Sequence, residues 1–222
     1  MKKEILCAAH QILEACKFLR DSNLVIGTWG NVSCRLEDDE FLLTPSALDY
    51  DDMTPEDLVS VSVRSGQRLM GNRVPSSEKE VHRLIYLSRS DVRFIIHDHS
   101  PYASAVAALG TEIPVVNEEM AQVFGGPIPC TAEYIAAGKH NDLGKAAAQA
   151  IGGSARGVLL KNHGLVVCGG NFKECKNMCL IAEKAAKIYL HIRNAEYFVI
   201  SEGDCRSEHE RFLYRYGTEG DK

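Results

Sequence analysis

The sequence predicts an α/β fold in which helices pack on a mixed β-sheet. Two observations support this prediction: short apolar segments of strand length alternate with longer segments of helical periodicity, and turn-forming residues separate many of the strands. The 222 residues contain no internal repeat, low-complexity segment or linker. A single domain over residues 1–222 is therefore the simplest organisation.

Five segments are predicted as helices. In the first and the last, apolar residues recur at three- and four-residue steps, which is the pattern of one buried helix face. Ser76 or Ser77 is a suitable N-cap for the second, and Ser77 with Glu80 has the spacing of a capping box. Pro101 fits the first turn of the third. In chain order the predicted helices span residues 4–20, 78–88, 102–109, 142–151 and 172–196.

Six short apolar segments bounded by turn residues are predicted as strands. Residues 37–40 form an acidic cluster that is a predicted hairpin turn, and Asn162-His163-Gly164 is a predicted tight turn between two apolar runs. Because strands, helices and hairpin turns are interspersed, a mixed sheet covered by helices is expected. In chain order the predicted strands span residues 32–36, 41–44, 58–63, 92–99, 158–160 and 165–167.

The composition excludes several classes of protein. The formal net charge is −5 and there is no basic stripe, so we expect no binding to nucleic acid. We expect neither a secretory leader nor a membrane span, because no apolar run approaches the roughly 20 residues that a bilayer requires. The eight cysteines include no Cys-x-x-Cys pair, which indicates free thiols in a reducing, cytoplasmic compartment rather than a thiolate zinc site.

Three histidines are the candidate metal ligands. His97 and His99 end a predicted strand, and residues two apart on a strand point to the same face, so both imidazoles can reach one ion. His163 is the best third ligand, because it occupies a turn between two apolar strands. Three imidazoles and an open position are typical of catalytic zinc. The alternative is that the His-x-His pair is structural; His82, one helical turn after Glu78, could line the same cleft.

The start of the second predicted helix is a candidate phosphate site. A helix N-terminus offers free backbone N–H groups and the positive end of the helix dipole, and Ser76 and Ser77 add hydroxyl donors there. No lysine-bearing P-loop is present, so a nucleoside triphosphate is not expected. Glu78 is either an ordinary carboxylate in the first helical turn or a general acid/base beside the metal.

Five stretches together resemble the class II aldolase/adducin family, in particular its L-fuculose-1-phosphate aldolase branch. The resemblance runs over nearly the whole chain, and its specificity comes from five motifs in the right order. It implies a three-layer α/β/α domain with a mostly antiparallel sheet, assembled as a homotetramer with active sites between subunits. The stretches are Gly27–Ser33, Thr44–Ser46, Pro75–Glu78, His97–Tyr102 and Lys161–Gly164.

The resemblance also implies roles for individual residues. One Zn²⁺ per subunit would be held by His97, His99 and His163, and Glu78 would be the acid/base beside it. Relatives that are 4-epimerases usually carry Asp at that position, so Glu78 favours aldol chemistry. The phosphate of a phosphorylated sugar would be bound by four side chains, those of Asn31, Ser46, Ser76 and Ser77. Backbone groups near Thr28 and Ala47 would also bind it.

The implied function is a zinc-dependent aldolase that reversibly cleaves a ketose 1-phosphate to dihydroxyacetone phosphate and an aldehyde. Alternatives within the family are a pentulose-5-phosphate 4-epimerase and a thio-sugar-phosphate dehydratase; outside enzymes, the alternative is a non-catalytic module like the adducin head. Two departures from the family pattern stand out. Ala47 replaces a common Gly, and residues 117–120 lack the Tyr that fuculose-phosphate aldolases contribute from a neighbouring subunit. Tyr214, Tyr216 or Glu119 would then supply the second acid/base.

Overall fold

A seven-stranded sheet forms the centre of the computed structural model, which describes residues 3–37, 39–136 and 138–218. All six pairings between its strands are antiparallel, and the one parallel pairing in the described part of the chain is an isolated bridge between Cys130 and Leu159. The spatial order is the fourth, third, second, first, fifth, seventh and sixth strand. The strands are β1 (Asn31–Glu37), β2 (Glu40–Leu43), β3 (Val59–Ser62), β4 (Arg68–Met70), β5 (Phe94–Asp98), β6 (Gly157–Leu160) and β7 (Gly164–Gly169).

Helices cover both faces of this sheet. In the described residues they are α1 (Lys3–Asp21), α2 (Lys79–Ser88), α3 (Pro101–Leu109), α4 (Glu118–Phe124), α5 (His140–Ile151), α6 (Phe172–Ile192) and α7 (Glu202–Tyr214), with a short 3-10 turn at Pro55–Asp57. α2 and α5 lie on one face, and the other helices lie on the opposite face. The expected three-layer α/β/α arrangement with a mostly antiparallel sheet is confirmed.

The alternation of side chains along β5 explains why there are two cores. Phe94 and Ile96 are buried in the core shared with α1, α3 and α6, whereas Ile95 is buried in the core shared with α2 and α5. Successive residues of a strand point to opposite faces, so a strand covered on both sides must be apolar at every position. Each fully buried side chain of this size contributes about 1.5–3 kcal/mol to folding.

The sheet register brings distant parts of the sequence together. β1 pairs with β5 so that Asn31 lies opposite His97. β7 pairs with the other edge of β5, where Val166 lies opposite His97 and Leu165 opposite Asp98. The start of β1, the C-terminal end of β5 and the turn between β6 and β7 therefore meet at the same end of the sheet.

Most predicted elements are present, with three omissions and one wrong detail. β4, α4 and α7 were not predicted, because each lacks a clear apolar pattern. β4 consists of three exposed residues, and α4 is only seven residues long. In α7, Cys205 is the one buried residue. The predicted capping box between Ser77 and Glu80 is wrong: Glu78 is the N-cap of α2, and Glu80 pairs with Lys79 and Arg83 on its own helix. Helices of the described chain are too short or too polar to cross a bilayer.

Candidate metal centre and active-site cleft

Three histidine side chains converge at one end of β5. His97 is the fourth residue of this strand, His99 directly follows its end, and His163 lies in the turn between β6 and β7. Their ligand-capable atoms all lie within 4.8 Å of one another. The ring centroids are 4.9–5.0 Å apart in all three pairs. The cluster is the one that the sequence predicted for a metal ion.

The backbone of the β6–β7 turn is built to present His163. Asn162 adopts a left-handed conformation with a φ of 57°, which is tolerated better by Asn than by most residues. Gly164 follows, and a Cβ placed there would lie 3.0 Å from His99 Cδ2 and 3.1 Å from His97 Cε1. Only glycine therefore allows the turn to pack directly against the other two rings.

The hydrogen bonding of His97 suits a metal ligand. Its Nδ1 lies 2.8 Å from the carbonyl oxygen of Leu165, which accepts only, so Nδ1 carries the proton and Nε2 is the free nitrogen. His97 Nε2 lies 3.0 Å from His99 Nε2, so the two nitrogens face the same point. A second hydrogen bond that fixes the tautomer is typical of metal-binding histidines.

Glu78 places a carboxylate against the same nitrogens. Its Oε2 lies 3.2 Å from His97 Nε2 and its Oε1 lies 2.9 Å from His163 Nε2. Burial by itself raises the pKa of Glu78, but the His97 and His163 rings outweigh burial and hold the pKa well below its usual range. The carboxylate is therefore ionised and can act as a proton acceptor at this position.

The surroundings of His99 favour its neutral form. Burial lowers its pKa to about 3, and the neighbouring His97 and His163 act in the same direction. A neutral imidazole with a free nitrogen lone pair is the form that binds a divalent ion. Three imidazoles in one cluster, with a carboxylate beside them, fit a divalent transition metal such as zinc.

A cleft of about 370 Å³ opens directly over this cluster. His99, His163 and Glu78 form one wall. Trp29, which the sequence analysis did not assign, also lines the cleft and is 65% exposed. The six residues that the family resemblance implied for phosphate binding all line the same cleft; they are Thr28, Asn31, Ser46, Ala47, Ser76 and Ser77.

The N-terminus of α2 also borders the cleft. No side chain caps this helix: the N-cap position is Glu78, whose carboxylate faces the histidines instead. The Ser76 hydroxyl accepts the Glu78 backbone N–H at 3.3 Å, and Ser77 is exposed to the cleft. Two hydroxyls and the positive end of the helix dipole make this end a suitable anion site.

Asn31 lines the cleft and also holds the carboxylate of Glu78. It is 4% exposed, and its Nδ2 donates a hydrogen bond of 2.7 Å to Glu78 Oε2. The sequence analysis did not detect this contact, which joins residues 47 positions apart. His82, which was considered for the cleft wall, is fully buried behind Asn31 and does not line the cleft.

Three residues considered as a second acid/base lie outside the cleft of this subunit. Tyr214 and Tyr216 are 77% and 61% exposed at the end of α7. Glu119 is at the start of α4, where it pairs with Lys184 and accepts from Asn117 Nδ2 at 2.7 Å. None of the three lines the cleft, so any role at the metal site would require a neighbouring subunit.

Comparison with known proteins agrees with this geometry. Residues 10–190 match the family model described as Class II Aldolase and Adducin N-terminal domain. The chain belongs to the class II aldolase/adducin family. With its three histidines in one cluster, it is a metal-dependent enzyme of the class II sugar-phosphate aldolase type.

Two curated relatives and one solved structure illustrate the similarity. A 5-deoxy-D-ribulose 1-phosphate aldolase from Bacillus thuringiensis is 35% identical over 186 residues, which cover 83% of this chain and 85% of the relative. An L-fuculose phosphate aldolase from Escherichia coli K12 is 32% identical over 182 residues, 82% of each chain. The structure of an L-fuculose 1-phosphate aldolase superposes with a TM-score of 0.87 at 31% identity, covering 93% of this chain and 96% of the other.

Proposed function

We propose that this protein is a zinc-dependent aldolase that reversibly cleaves a ketose 1-phosphate, of the L-fuculose 1-phosphate type, to dihydroxyacetone phosphate and an aldehyde. One observation supports this proposal above all others. A cluster of three imidazoles, an ionised carboxylate and an uncapped helix N-terminus meet at a single cleft of about 370 Å³, which His99 and His163 line directly. A sugar phosphate needs these three features together: a site for its carbonyl, a base for its proton and a cradle for its phosphate.

The reaction requires stabilisation of negative charge beside a carbonyl. Breaking the C3–C4 bond of a ketose 1-phosphate leaves an electron pair on C3, next to the C2 carbonyl; the C4 hydroxyl gives its proton to the second acid/base, and the remaining carbons leave as an aldehyde. His97, His99 and His163 would hold a divalent metal, which would supply Lewis-acid stabilisation of this charge. The side chain of a lysine is not needed for this chemistry.

Glu78 is the proposed general acid/base. Its carboxylate lies 2.9–3.2 Å from two of the histidine nitrogens, so it faces the point where C3 of the substrate would lie. In the condensation direction its carboxylate removes a proton from C3 of dihydroxyacetone phosphate, and in the cleavage direction its protonated carboxyl group delivers that proton to C3. Asn31 holds one carboxylate oxygen and leaves the other directed at His163.

The phosphate is proposed to bind at the N-terminus of α2. Ser76 and Ser77 would donate their hydroxyls, and Ser46, together with backbone groups near Thr28 and Ala47, would contribute from the facing loops. The phosphate does not take part in bond breaking. Its binding energy holds C2 and C3 in position and so contributes to the rate rather than to affinity alone.

A homotetramer with active sites between subunits is proposed for the assembly. Tyr214 and Tyr216 are exposed in the single chain, so a neighbouring subunit can bring either of them to the cleft as a second proton donor. Glu119 remains the third candidate for this role. All eight cysteines are free thiols, which supports operation in a reducing compartment such as the cytoplasm.

The test is an assay of the purified protein, with its metal content measured by elemental analysis. L-Fuculose 1-phosphate, 5-deoxyribulose 1-phosphate and a pentulose 5-phosphate are each incubated with the enzyme, and dihydroxyacetone phosphate is measured. Release from a ketose 1-phosphate by zinc-containing enzyme supports the proposal. Epimerisation of the pentulose 5-phosphate without release of dihydroxyacetone phosphate would favour a 4-epimerase instead of an aldolase. Loss of water from a thio-sugar phosphate, tested in the same way, would favour a dehydratase. Absence of bound metal and of turnover would favour a non-catalytic module.

A further inference from the structure

A chain of buried hydrogen bonds runs from Glu78 away from the cleft and into the core. Asn31 Nδ2 donates to Glu78 Oε2 at 2.7 Å, and Asn31 Oδ1 contacts His82 Nε2. On the other side of the imidazole, His82 Nδ1 lies 2.6 Å from Ser33 Oγ, which lies 2.8 Å from the hydroxyl of Tyr86. The chain therefore connects the cleft with the core between the sheet and α2.

The chemistry of the end groups assigns every proton in this chain. The amide nitrogen of Asn31 donates to Glu78 Oε2, and the amide oxygen of Asn31 faces His82 Nε2. That oxygen only accepts, so His82 Nε2 carries the imidazole proton. His82 Nδ1 then accepts from the Ser33 hydroxyl, and the oxygen of Ser33 accepts from Tyr86. The five side chains form one unidirectional series with no conflict between donors.

Burial makes this arrangement costly to change. His82 and Ser33 are 0% exposed, and Tyr86 is 1% exposed. Burial lowers the pKa of His82 to about 3, so the ring is neutral and has one donor and one acceptor. A 180° rotation of the Asn31 amide would set its oxygen against the Glu78 carboxylate and, with His82 in this tautomer, its NH₂ group against the His82 N–H. With the tautomer kept, both contacts would be repulsive in a site with little water to compensate.

We propose that His82 is a positioning residue that selects the amide orientation of Asn31. In this orientation both N–H groups of Asn31 point to the functional side: one holds the Glu78 carboxylate, and the other remains for an anionic oxygen in the cleft that Asn31 lines. His82 thus acts on catalysis without contacting substrate or metal. The inference rests on the proposed role of Glu78 as acid/base.

Three zinc-loaded variants test this inference. His82→Leu removes the donor to Asn31 Oδ1. His82→Gln keeps an amide donor at a similar reach. Ile85→Ala is the matched control, because Ile85 lies on the same helix in the same apolar core and takes no part in the hydrogen-bond chain. The measurement is proton exchange at C3 of saturating dihydroxyacetone phosphate, per zinc-loaded enzyme.

The expected result is a fall in the maximal exchange rate of about 10- to 100-fold for His82→Leu, with one zinc still bound. His82→Gln is expected to recover most of this rate, and Ile85→Ala to lose stability but keep the rate. An equal loss in His82→Leu and Ile85→Ala, or no loss in His82→Leu, would overturn the inference, because His82 would then contribute only to packing.

A second measurement does not depend on activity. Asn31 bridges His82 and Glu78 by hydrogen bonds, so urea unfolding of the metal-free protein should show coupling between His82→Leu and Glu78→Gln that depends on Asn31. We expect non-additivity of at least about threefold in the unfolding equilibrium constant, which disappears when Asn31→Ala is present. Additive effects would overturn the positioning role. If no ketose phosphate is turned over, the proposed function fails while this coupling can still be measured.

Discussion

The N-termini of α2 and α6 have opposite arrangements. At α6, Asn171 Oδ1 accepts the backbone N–H of Glu174 at 3.0 Å, and the carboxylate of Glu174 accepts the backbone N–H of Gly170 at 2.5 Å. Each side chain thus satisfies a backbone group of the helix start. At α2 the N-cap is Glu78, which makes no cap hydrogen bond, and Ser76 contributes one contact of 3.3 Å.

This difference shows how a helix end is reserved for a ligand. A good N-cap is worth about 0.5–2 kcal/mol, and α2 does without it. The helix is still stable because Val81 and Ile85 are buried against the sheet. Its N-terminal segment, with Ser76 and Ser77, lines the cleft, and its carboxylate is directed at His97 and His163. The side chains at the start of α6 bond to backbone groups of that helix start, whereas those at the start of α2 face the cleft.

The largest expected effect comes from removing the metal site beside α2. Chelation, or the substitution His163→Ala, should lower the cleavage rate by at least about 10³-fold, because several kcal/mol of charge stabilisation at the transition state is lost. The protein should remain folded, since its two apolar cores do not depend on the metal. Cleavage rate and circular dichroism are measured in parallel. Full activity in metal-free protein would contradict the assignment.

Two matched substitutions of glutamate by glutamine compare the two helix ends directly. Glu78→Gln should slow proton exchange at dihydroxyacetone phosphate by about 10²- to 10⁴-fold, the usual contribution of a general acid/base. Glu174→Gln at α6 should leave exchange unchanged and reduce stability, because its carboxylate pairs with Arg156 and the helix start. The two variants are assayed for exchange and for thermal unfolding. Equal exchange in both would mean that Glu78 is only a helix-end charge.

Removing the hydroxyls of Ser76 and Ser77 tests their role in ligand binding separately from a role in helix capping. Ser76→Ala combined with Ser77→Ala should raise the KM for the phosphorylated substrate by about tenfold, because about 1.4 kcal/mol of hydrogen bonding is lost. Asn171→Ala at α6 should leave KM unchanged and lower the free energy of unfolding by about 0.5–2 kcal/mol. Steady-state kinetics and urea unfolding of both variants provide the comparison. A normal KM in the double serine variant would show that the phosphate does not bind to the hydroxyls at the start of α2.

The smallest effect is expected at the loop facing α2. Ala47 has a φ of 55°, a left-handed conformation in which its Cβ is strained by roughly 1–2 kcal/mol. Ala47→Gly should relieve this strain and stabilise the protein by up to about 1 kcal/mol after the entropy of glycine is subtracted. Ala146→Gly within α5 is the control and should destabilise by about 1 kcal/mol. Thermal unfolding should shift by about 2–4 °C per kcal/mol in opposite directions.

The fold could be predicted from the sequence wherever an element carries its own pattern. α1 and α6 have long amphipathic periodicity, and the β6–β7 hairpin has two apolar runs around a turn, so local residues suffice. β4, α4 and α7 lack such a pattern. They form because of what they pack against: α7 lies on α4, and β4 pairs with β3 at the sheet edge.

The candidate site divides in the same way. Alternation on a strand is enough to place His97 and His99 on one side, and the Asn162-His163-Gly164 turn identifies the third histidine. The contact of Asn31 with Glu78, and the position of His82 behind it, had no sequence signal beyond the helical spacing of Glu78 and His82. Side chains that satisfy one another across 47 or 51 residues can be identified only after the sheet register is known.

The sequence by itself determined the layered α/β class, the chemistry of the metal ligands and the helix end suited to an anion, because these follow from periodicity and from residue type. The tertiary structure alone decided that α2 has no side-chain cap, that Glu78 turns toward the histidines, and that a buried imidazole orients Asn31. The physical reason is that hydrogen-bond partners are chosen by proximity in the folded chain. Ser77 and Glu80 have the spacing of a cap, but the site and the neighbouring charges hold their side chains elsewhere.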